Sequence, residues 1–264
     1  MSVQTWKLEI EYDGTRYRGW QVQQNARSVQ GEIIRAAEAA LKTKVEIGGA
    51  GRTDAGVHAL RQMAHLKIRA ALPSVTSKHI RFALNDLLPP DINLLSVANA
   101  PRNFHARHDA EMRFYLYQIA TRRTAFGKPF VWWVKDTLNV SLMQEACELF
   151  AGRHDFRSFC ESPAQQTSTI VQVETAQLIA QDGLILFRIG AGHFLWKMVR
   201  RIVGALVEVG RGNLKVADVR QLLATESRHQ TAAWTAPPSG LFLERILYAG
   251  DEPPNTLVPA FPVG

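Results

Sequence analysis

Segments with the periodicity of strands and of helices follow one another twice along this chain, and their order limits the possible folds more than any other feature. In the first hundred residues, apolar and polar side chains alternate over Trp6–Glu11, which predicts a half-buried strand. Apolar residues recur at helical spacing over Val29–Leu41, which predicts a helix with Ser28 as its N-cap. Further strands are predicted near residues 45–47, 62–68 and 92–98, with a helix over 77–87. This mixture predicts an α+β fold.

The second half of the chain repeats this order. The pattern predicts a strand at Arg113–Ala120, a helix at Leu142–Phe150 capped by Ser141, and paired strands at 171–180 and 184–189 around a turn. A long helix follows over residues 195–209, closed by glycines at 210 and 212. We therefore expect two lobes, 1–104 and 105–264, hinged near residues 100–112, with an irregular Pro-rich tail after Tyr248.

The charge balance and the cysteine content narrow the functional classes. The sequence has 31 Lys and Arg against 24 Asp and Glu, a formal charge of +7. Such an excess suits a polyanionic partner, because basic side chains placed on phosphates release counterions. The two cysteines, Cys147 and Cys160, do not form a CxxC pair, which argues against a disulfide framework and a cysteine-based zinc site. With no N-terminal signal pattern and no apolar run of membrane-spanning length, we expect a soluble, cytoplasmic protein.

The stretch GAGRTDAGVHA, Gly49–Ala59, breaks the local pattern in a way that packing does not explain. Its glycines allow a tight turn and close approach to another molecule, and Arg52 and Asp54 point to one side of an extended turn. A lone carboxylate beside an arginine can stay ionised and act as a nucleophile or a base. The alternative is an Asx turn in which Asp54 bonds its own backbone, and the spacing alone favours that structural role.

A second candidate lies in RFYLYQI, Arg113–Ile119, where Tyr115 and Tyr117 share one face of the predicted strand. A tyrosine on an inward face is usually part of the core, with its hydroxyl bonded to a neighbour. The functional alternative is a ring that stacks on a nucleobase and offers its hydroxyl.

The predicted helix WKMVRRIVGALVEVG places Arg200 on an otherwise apolar stripe, which contains Trp196, Val203 and Val207. The more polar side contains Lys197, Arg201 and Glu208. A charge on the apolar stripe is costly unless a carboxylate meets it, so Arg200 is expected to have an acidic partner. The partner could be any acid of the core, or Asp54.

Basic and aromatic residues interleave over Asn103–Tyr115. Within this patch, Phe104, His105, Arg107 and His108 offer phosphate contacts and flat faces for unstacked bases. Such mixtures are also common on solvated loops. The two histidines have no acidic or cysteine companion at ligand spacing, which argues against a metal site.

Several longer stretches, taken in order, resemble the bacterial tRNA pseudouridine synthase A family over nearly the whole chain. They run from EYDGTRYRGWQ, Glu11–Gln21, to PPSGLFL, Pro237–Leu243, and GRTDAGVHA is highly specific for the family. Between these ends stand ALNDLLPPDI, FHAR, RFYLY, HDFRSF and FLWKMVRRIVGALVEVG. The resemblance implies isomerisation of uridine to pseudouridine at positions 38, 39 and 40 of the tRNA anticodon arm, with no metal or organic cofactor. The implied fold has two α/β lobes with mixed or antiparallel sheets that flank a basic cleft, usually in a homodimer.

The resemblance also implies roles for individual residues. Asp54 matches the nucleophilic aspartate, and Tyr115 matches the tyrosine that stacks on the target base. Arg200 matches the basic residue paired with that aspartate, and Arg52 the arginine that holds the place of the flipped nucleotide. The FHAR stretch and its neighbour are expected to contact RNA: Phe104, His105, Ala106, Arg107 and His108. Whether Asp54 attacks the sugar or the base, or removes a proton from the sugar, stays open.

The chain departs from the common pattern of the family at two places. Ser168–Gln172 lacks the arginine that many members carry beyond a threonine, and Trp196–Lys197 stands where smaller or histidine-like residues are frequent. Two other functions stay open: a tRNA-binding or RNA-folding protein without turnover, and a hydrolase that uses Asp54 with a second acid. The presence of Asp54, Tyr115 and Arg200 together argues against the first, and the Asp54 turn contains no acid for the second.

Overall fold

The computed structural model describes residues 3–69, 75–224 and 228–263, and the chain divides into two compact units. The first unit contains Met1–Glu111 and Leu243–Glu252, and the second contains Met112–Phe242 and Pro253–Gly264. The predicted lobes, 1–104 and 105–264, differ from these units in the point of division and in the late return of the chain to the first unit. That return depends on contacts between segments far apart in sequence, which local periodicity does not report.

The first unit is built on an antiparallel sheet. Its elements are β1 (Gln4–Tyr12), α1 (Val29–Leu41), β2 (Val45–Gly49), β3 (His58–Ile68), α2 (Ser77–Asn85) and β4 (Ile92–Asn99). β1 lies between β3 and β4, and β2 pairs with the end of β3. Leu8, Ile33 and Leu66 are fully buried in this unit. The expected strands and helices are confirmed, although β3 begins at His58 rather than Gln62.

Helix α1 shows how the local sequence positions the sheet. The Ser28 hydroxyl accepts a hydrogen bond from the Gly31 amide at 3.3 Å, so the predicted N-cap is confirmed. Gln30 is buried and its amide nitrogen donates to the carbonyl of Ile47 at 2.7 Å. This bond fastens α1 to β2, and β2 leads directly into the loop that carries Asp54.

The second unit contains a mixed sheet and most of the helices. Its elements are β5 (Met112–Ala120), β6 (Trp132–Trp133), α3 (Val140–Glu148), β7 (Gly152–Asp155), β8 (Ile170–Gln181), β9 (Leu184–Ala191), α4 (Met198–Gly210), α5 (Val216–Ala224) and α6 (Arg228–Ala233). β9 lies between β5 and β8 and is antiparallel to both, β7 pairs with β8, and β6 runs parallel to β5. The final strand, β10 (Leu241–Leu247), brings the chain back to the first unit, where it lies beside β3. Strands and helices in both units confirm the predicted α+β class.

Two helices of the second unit begin at residues other than those predicted. Asn139, and not Ser141, caps α3: its side chain accepts a hydrogen bond from the Leu142 amide at 3.1 Å, and its own amide is bonded to a carbonyl at the end of α4. α4 begins at Met198, three residues later than predicted, because Lys197 has a left-handed backbone (φ 60°) that interrupts a helix. Within the described residues, no helix has both the length and the apolar character needed to cross a membrane.

The tail after Tyr248 has no regular secondary structure in its described part, as predicted, but it is tied to the sheet of the second unit. Gln118 on β5 accepts hydrogen bonds from the amides of Ala260 and Phe261, at 2.6 and 3.2 Å. Arg188 on β9, which is 1% exposed, donates to two tail carbonyls at 3.3 and 2.7 Å. These bonds allow a polar amide and a guanidinium to lie in the core, because they replace the bonds lost to water.

Candidate active site

Asp54 lies in the loop that joins β2 to β3, and its side chain is half-buried. The backbone turns sharply here: the Val57 amide donates to the Asp54 carbonyl at 3.2 Å, and Gly56 has a positive φ of 77°, which disfavours other residues. Arg52, two residues before Asp54, is exposed. Gly56 therefore allows the tight turn that the sequence predicted at this stretch.

The segment that follows β1 supports this loop along its backbone. The Trp20 amide donates to the Thr53 carbonyl at 3.1 Å, and the Gly56 amide donates to the Tyr17 carbonyl at 3.2 Å. A Cβ atom at Gly19, where φ is +94°, would lie 2.5 Å from the Thr53 oxygen, so only glycine allows this approach. The motifs EYDGTRYRGWQ and GRTDAGVHA therefore form one structure, which fixes the backbone before and after the aspartate.

Polar groups beneath this segment were missed by the sequence reasoning. The Gly14 amide lies 3.1 Å from His58 Nδ1, and Asp13 Oδ1 lies 3.1 Å from the same nitrogen. The Tyr17 hydroxyl donates to the Asp91 carboxylate, and burial, together with this contact, raises the pKa of Tyr17 above its ordinary value. All five residues lie in motifs that carry the family resemblance, which was the signal available; periodicity gave none of them a role.

Tyr115 lies on β5 of the second unit, opposite Ile189 of β9, and is 8% exposed. The ring of Phe194 meets it edge-on, with the ring centroids 5.0 Å apart. Tyr117 is fully buried and its hydroxyl donates to the Pro237 carbonyl at 2.8 Å. Burial raises the pKa of Tyr117 well above its ordinary value. Tyr117 thus has the core role that the sequence allowed for both tyrosines, whereas Tyr115 keeps a small exposed area.

The two arginines at the start of α4 differ from the prediction. Arg200 is half-buried, and its Nε donates to the Ala236 carbonyl at 2.7 Å. Arg201 was expected on the polar side of the helix but is 2% exposed; it donates to the Cys160 carbonyl at 2.6 Å and forms an ion pair with Glu161. The expectation for Arg201 was wrong because the second unit covers both sides of α4, where nearly every residue is buried. Helical phase shows which side chains share a face of the helix, but it does not show which face is exposed to solvent.

Arg200 and the tyrosine strand meet within the second unit. Arg200 bonds to the carbonyl of Ala236, and Tyr117 bonds to that of the next residue, Pro237. The charge of Arg200 acts on the Tyr117 hydroxyl in the direction that lowers its pKa, against the larger effect of burial. Asp54 belongs to the first unit, so the predicted pair between Asp54 and Arg200 stays a prediction.

The FHAR motif forms a compact loop in the first unit. Phe104 is 9% exposed and packs against Tyr248, with ring centroids 5.5 Å apart. Ala106 is fully buried; its amide donates to His65 Nδ1 at 3.1 Å, and its carbonyl accepts the Tyr248 hydroxyl at 2.8 Å. The side chains of Phe104 and Ala106 thus pack inside the unit, and the surface that the motif presents comes from its other residues.

Three histidine rings lie close together at this loop, each tilted relative to its neighbour. The ring centroids of His65 and His105 are 4.7 Å apart, and those of His105 and His108 are 4.2 Å apart. Burial, aided by the positive charge of neighbours, lowers the pKa of His65 to about 4 and also lowers that of His105. Arg107 and His108 are exposed, so Arg107 supplies a permanent positive charge at the surface of the motif. In the part of the chain that the structure describes, no three His, Cys, Asp or Glu side chains are grouped in a way that could hold a metal ion.

Comparisons with known proteins cover most of these elements. Residues 9–109 and 146–249 match the family described as tRNA pseudouridine synthase; these segments contain the Asp54 loop, FHAR and α4, whereas Tyr115 lies between them. The chain is 40% identical over 244 residues to tRNA pseudouridine synthase A of Citrifermentans bemidjiense, which covers 92% of this chain and 96% of that protein. It is 39% identical over 243 residues to the protein of the same name from Caldicellulosiruptor bescii, covering 91% and 98%. The chain belongs to the tRNA pseudouridine synthase family, and the resemblance found in its motifs is confirmed.

Proposed function

We propose that this enzyme converts uridine to pseudouridine at positions 38, 39 and 40 in the anticodon arm of tRNA. The observation that supports this most is the Asp54 loop, a carboxylate on a glycine turn whose backbone is bonded to Trp20 and Tyr17. The relatives of the chain carry the name of this activity. A carboxylate held by its main chain meets the substrate in a fixed position, which lowers the entropic cost of the reaction.

The reaction breaks the bond between uracil N1 and the ribose, turns the base and joins its C5 to the same sugar carbon. The C5 proton is then released and N1 takes up a proton, so that the product is an isomer of uridine. Asp54 begins the reaction as a nucleophile or a base. Arg200 pairs with Asp54 and keeps it ionised through a charge-assisted hydrogen bond. Tyr115 stacks on the base and assists the movement of the C5 proton.

The target base must leave the RNA helix before it can react. Flipping a nucleotide costs a few kcal/mol, and Arg52, which is exposed two residues before Asp54, offsets part of this cost by filling the vacated space. Because Phe104 and Ala106 are buried, the RNA contacts that we propose for FHAR and the next residue are His105, Arg107 and His108. Affinity should fall steeply with salt, because phosphate contacts dominate such an interface.

The same proposal includes the cellular compartment, the oligomeric state and the cofactor requirement of the enzyme. The enzyme works in the cytoplasm as a homodimer and without a metal or organic cofactor. Cys147 and Cys160 are both buried, and their spacing argues against a disulfide framework, as suits a reducing compartment. Light scattering after size exclusion, with and without tRNA, measures the oligomeric state; a monomer in both conditions would contradict the dimer.

The substitution Asp54→Asn tests the proposed chemistry. It removes the negative charge and keeps the shape, so tRNA binding should persist while pseudouridine formation falls below detection. Asp86→Asn is the matched control, because Asp86 is an exposed aspartate of the same unit at the end of α2. Activity is followed by release of tritium from tRNA labelled at uridine C5.

Other outcomes of this assay distinguish the alternative functions. Normal activity in Asp54→Asn would remove the aspartate from the mechanism. Tight tRNA binding by the unaltered protein without tritium release would favour a binding protein. Release of uracil or cleaved RNA would favour a hydrolase.

A further inference from the structure

Trp196 is an aromatic residue that the proposed reaction does not use. It stands two residues before the start of α4, next to the left-handed Lys197, and 48% of its surface is exposed. A tryptophan whose role is packing stabilises a fold by burying its ring, because the indole offers a large apolar area. Half of this ring is not used for packing and is available for contact with another molecule.

The backbone around Trp196 is fixed even though its ring is exposed. The Glu161 amide donates to the Trp196 carbonyl at 3.0 Å. The carboxylate of Glu161 forms ion pairs with the buried Arg201 and with Lys197, whose Nζ lies 3.3 Å from Oε1. The ring is thus presented on a prearranged support, so a ligand that contacts it pays little for ordering the chain.

The charges near Trp196 favour a polyanion. One negative charge, on Glu161, faces two positive charges, on Arg201 and Lys197, and Lys197 Nζ lies 5.5 Å from the centroid of the indole ring. A flat aromatic face beside an excess of positive charge is the combination that binds unpaired nucleotides, in which a base stacks and a phosphate is neutralised.

The position of Trp196 relates it to the proposed base-binding strand. Phe194, two residues earlier in the same segment, contacts Tyr115 edge-on at 5.0 Å. Trp133 offers a comparison within the same unit: it is 42% exposed and has Arg123 at 5.9 Å from its ring. Trp133 pairs with Ala120, at the far end of β5 and about 17 Å along the strand from Tyr115. The two tryptophans are similarly exposed and each has a cation near its ring. They differ in position, because Trp196 lies in the segment that contacts Tyr115, whereas Trp133 lies at the far end of β5.

We infer that Trp196 stacks on an unpaired base of the tRNA substrate near the target uridine, with Lys197 on an adjacent phosphate. The inference rests on the proposed function, since it assumes that the substrate is an RNA. It assigns to this chain an RNA contact at Trp196–Lys197, one of the two places where its sequence departs from the common pattern of the family.

The test measures the affinity of the full-length protein for an anticodon-arm RNA, by fluorescence anisotropy over a range of salt concentrations. Trp196→Ala and Trp196→Leu should each weaken binding about tenfold with the salt slope unchanged, whereas Trp196→Phe should keep most of the affinity. Lys197→Gln should lower the salt slope by about one phosphate contact. Trp133→Ala is the matched control and should stay within about twofold of the original affinity.

Several results would overturn the inference. Equal affinity in Trp196→Ala and the unaltered protein would do so, as would the same loss in Trp133→Ala. Full affinity in Trp196→Leu would show that apolar bulk matters and stacking does not. A change of oligomeric state in Trp196→Ala with RNA affinity unchanged would assign the surface to a second copy of the chain.

Tritium release by the unaltered protein separates this inference from the proposed function. If the unaltered protein forms no pseudouridine, the proposed function fails whatever the variants show. If the unaltered protein forms pseudouridine and Trp196→Ala binds RNA normally, only the stacking role fails. Circular dichroism of each variant confirms that it is folded, and the Leu variant carries the test if the Ala variant is not.

Discussion

Replacing Gly19 with alanine should slow pseudouridine formation far more than its effect on folding explains. The new Cβ atom would lie 2.5 Å from the Thr53 carbonyl oxygen and 3.1 Å from the Asp54 carbonyl carbon. Carbon atoms of this kind essentially never approach closer than 3.0 Å, so the backbone on one side must move by at least 0.5 Å. The atoms in the way belong to the main chain that carries the aspartate, and they cannot rotate aside as a flexible side chain would.

The magnitude follows from two separate costs. Alanine at a φ of +94° is strained by about 1–2 kcal/mol, and overpacking against fixed backbone adds about 1–3 kcal/mol, so the free energy of unfolding should fall by roughly 2–5 kcal/mol. A misplacement of a catalytic group by about 1 Å costs on the order of 100-fold in rate, so one of about 0.5 Å should cost on the order of 10-fold. We therefore expect kcat to fall at least about 10-fold at a temperature where the variant is fully folded.

Gly250→Ala is the matched control for this experiment. Gly250 belongs to the same unit and has a φ of +86°, but a Cβ atom built on it meets no atom within 4 Å. It should therefore show the strain of about 1–2 kcal/mol in urea unfolding and keep kcat within about twofold. Tritium release at saturating tRNA gives kcat for both variants.

Two results would refute this reasoning. One is a kcat of the folded Gly19→Ala protein within about threefold of the original, which would mean that the Asp54 loop tolerates the displacement. The other is an equal loss of kcat in Gly250→Ala, which would mean that general strain rather than the local clash slows the reaction.

Three further predictions concern buried polar groups. Burial holds the pKa of His65 at about 4, against an ordinary value of 6.5, so the unfolded chain binds a proton at a higher pH than the folded protein does. The free energy of unfolding should therefore fall by roughly 3 kcal/mol as the pH drops from 6.5 to 4. Urea unfolding across this range measures the fall, which should be smaller in His65→Gln. Tyr117→Phe leaves the Pro237 carbonyl without its hydroxyl donor and should cost about 1–2 kcal/mol in thermal unfolding, and an unchanged Tm would contradict that bond. Gln118→Met removes the acceptor of the tail amides and should speed hydrogen exchange at Phe261, where unchanged protection would show that the tail is held by other contacts.

The sequence was sufficient for the local structure of most elements. Period-two and helical patterns located β1, β5, β8, β9 and α1, and the Ser28 cap was found at the residue predicted. These features depend on residues close together in the chain, which is the range over which a pattern carries information. The same range includes the glycine turn around Asp54, and the specific motif GRTDAGVHA gave the family.

Only the tertiary structure decided which polar residues are buried and which segments support the aspartate. Helical phase favoured Arg200 as the buried arginine of α4, yet Arg201 is enclosed beside Glu161, because the second unit covers the helix on both sides. The contact of Gly19 with the Asp54 loop joins residues more than thirty positions apart, and so no local pattern reports it. Periodicity determines which side chains share a face, and the packing of distant segments determines what that face meets.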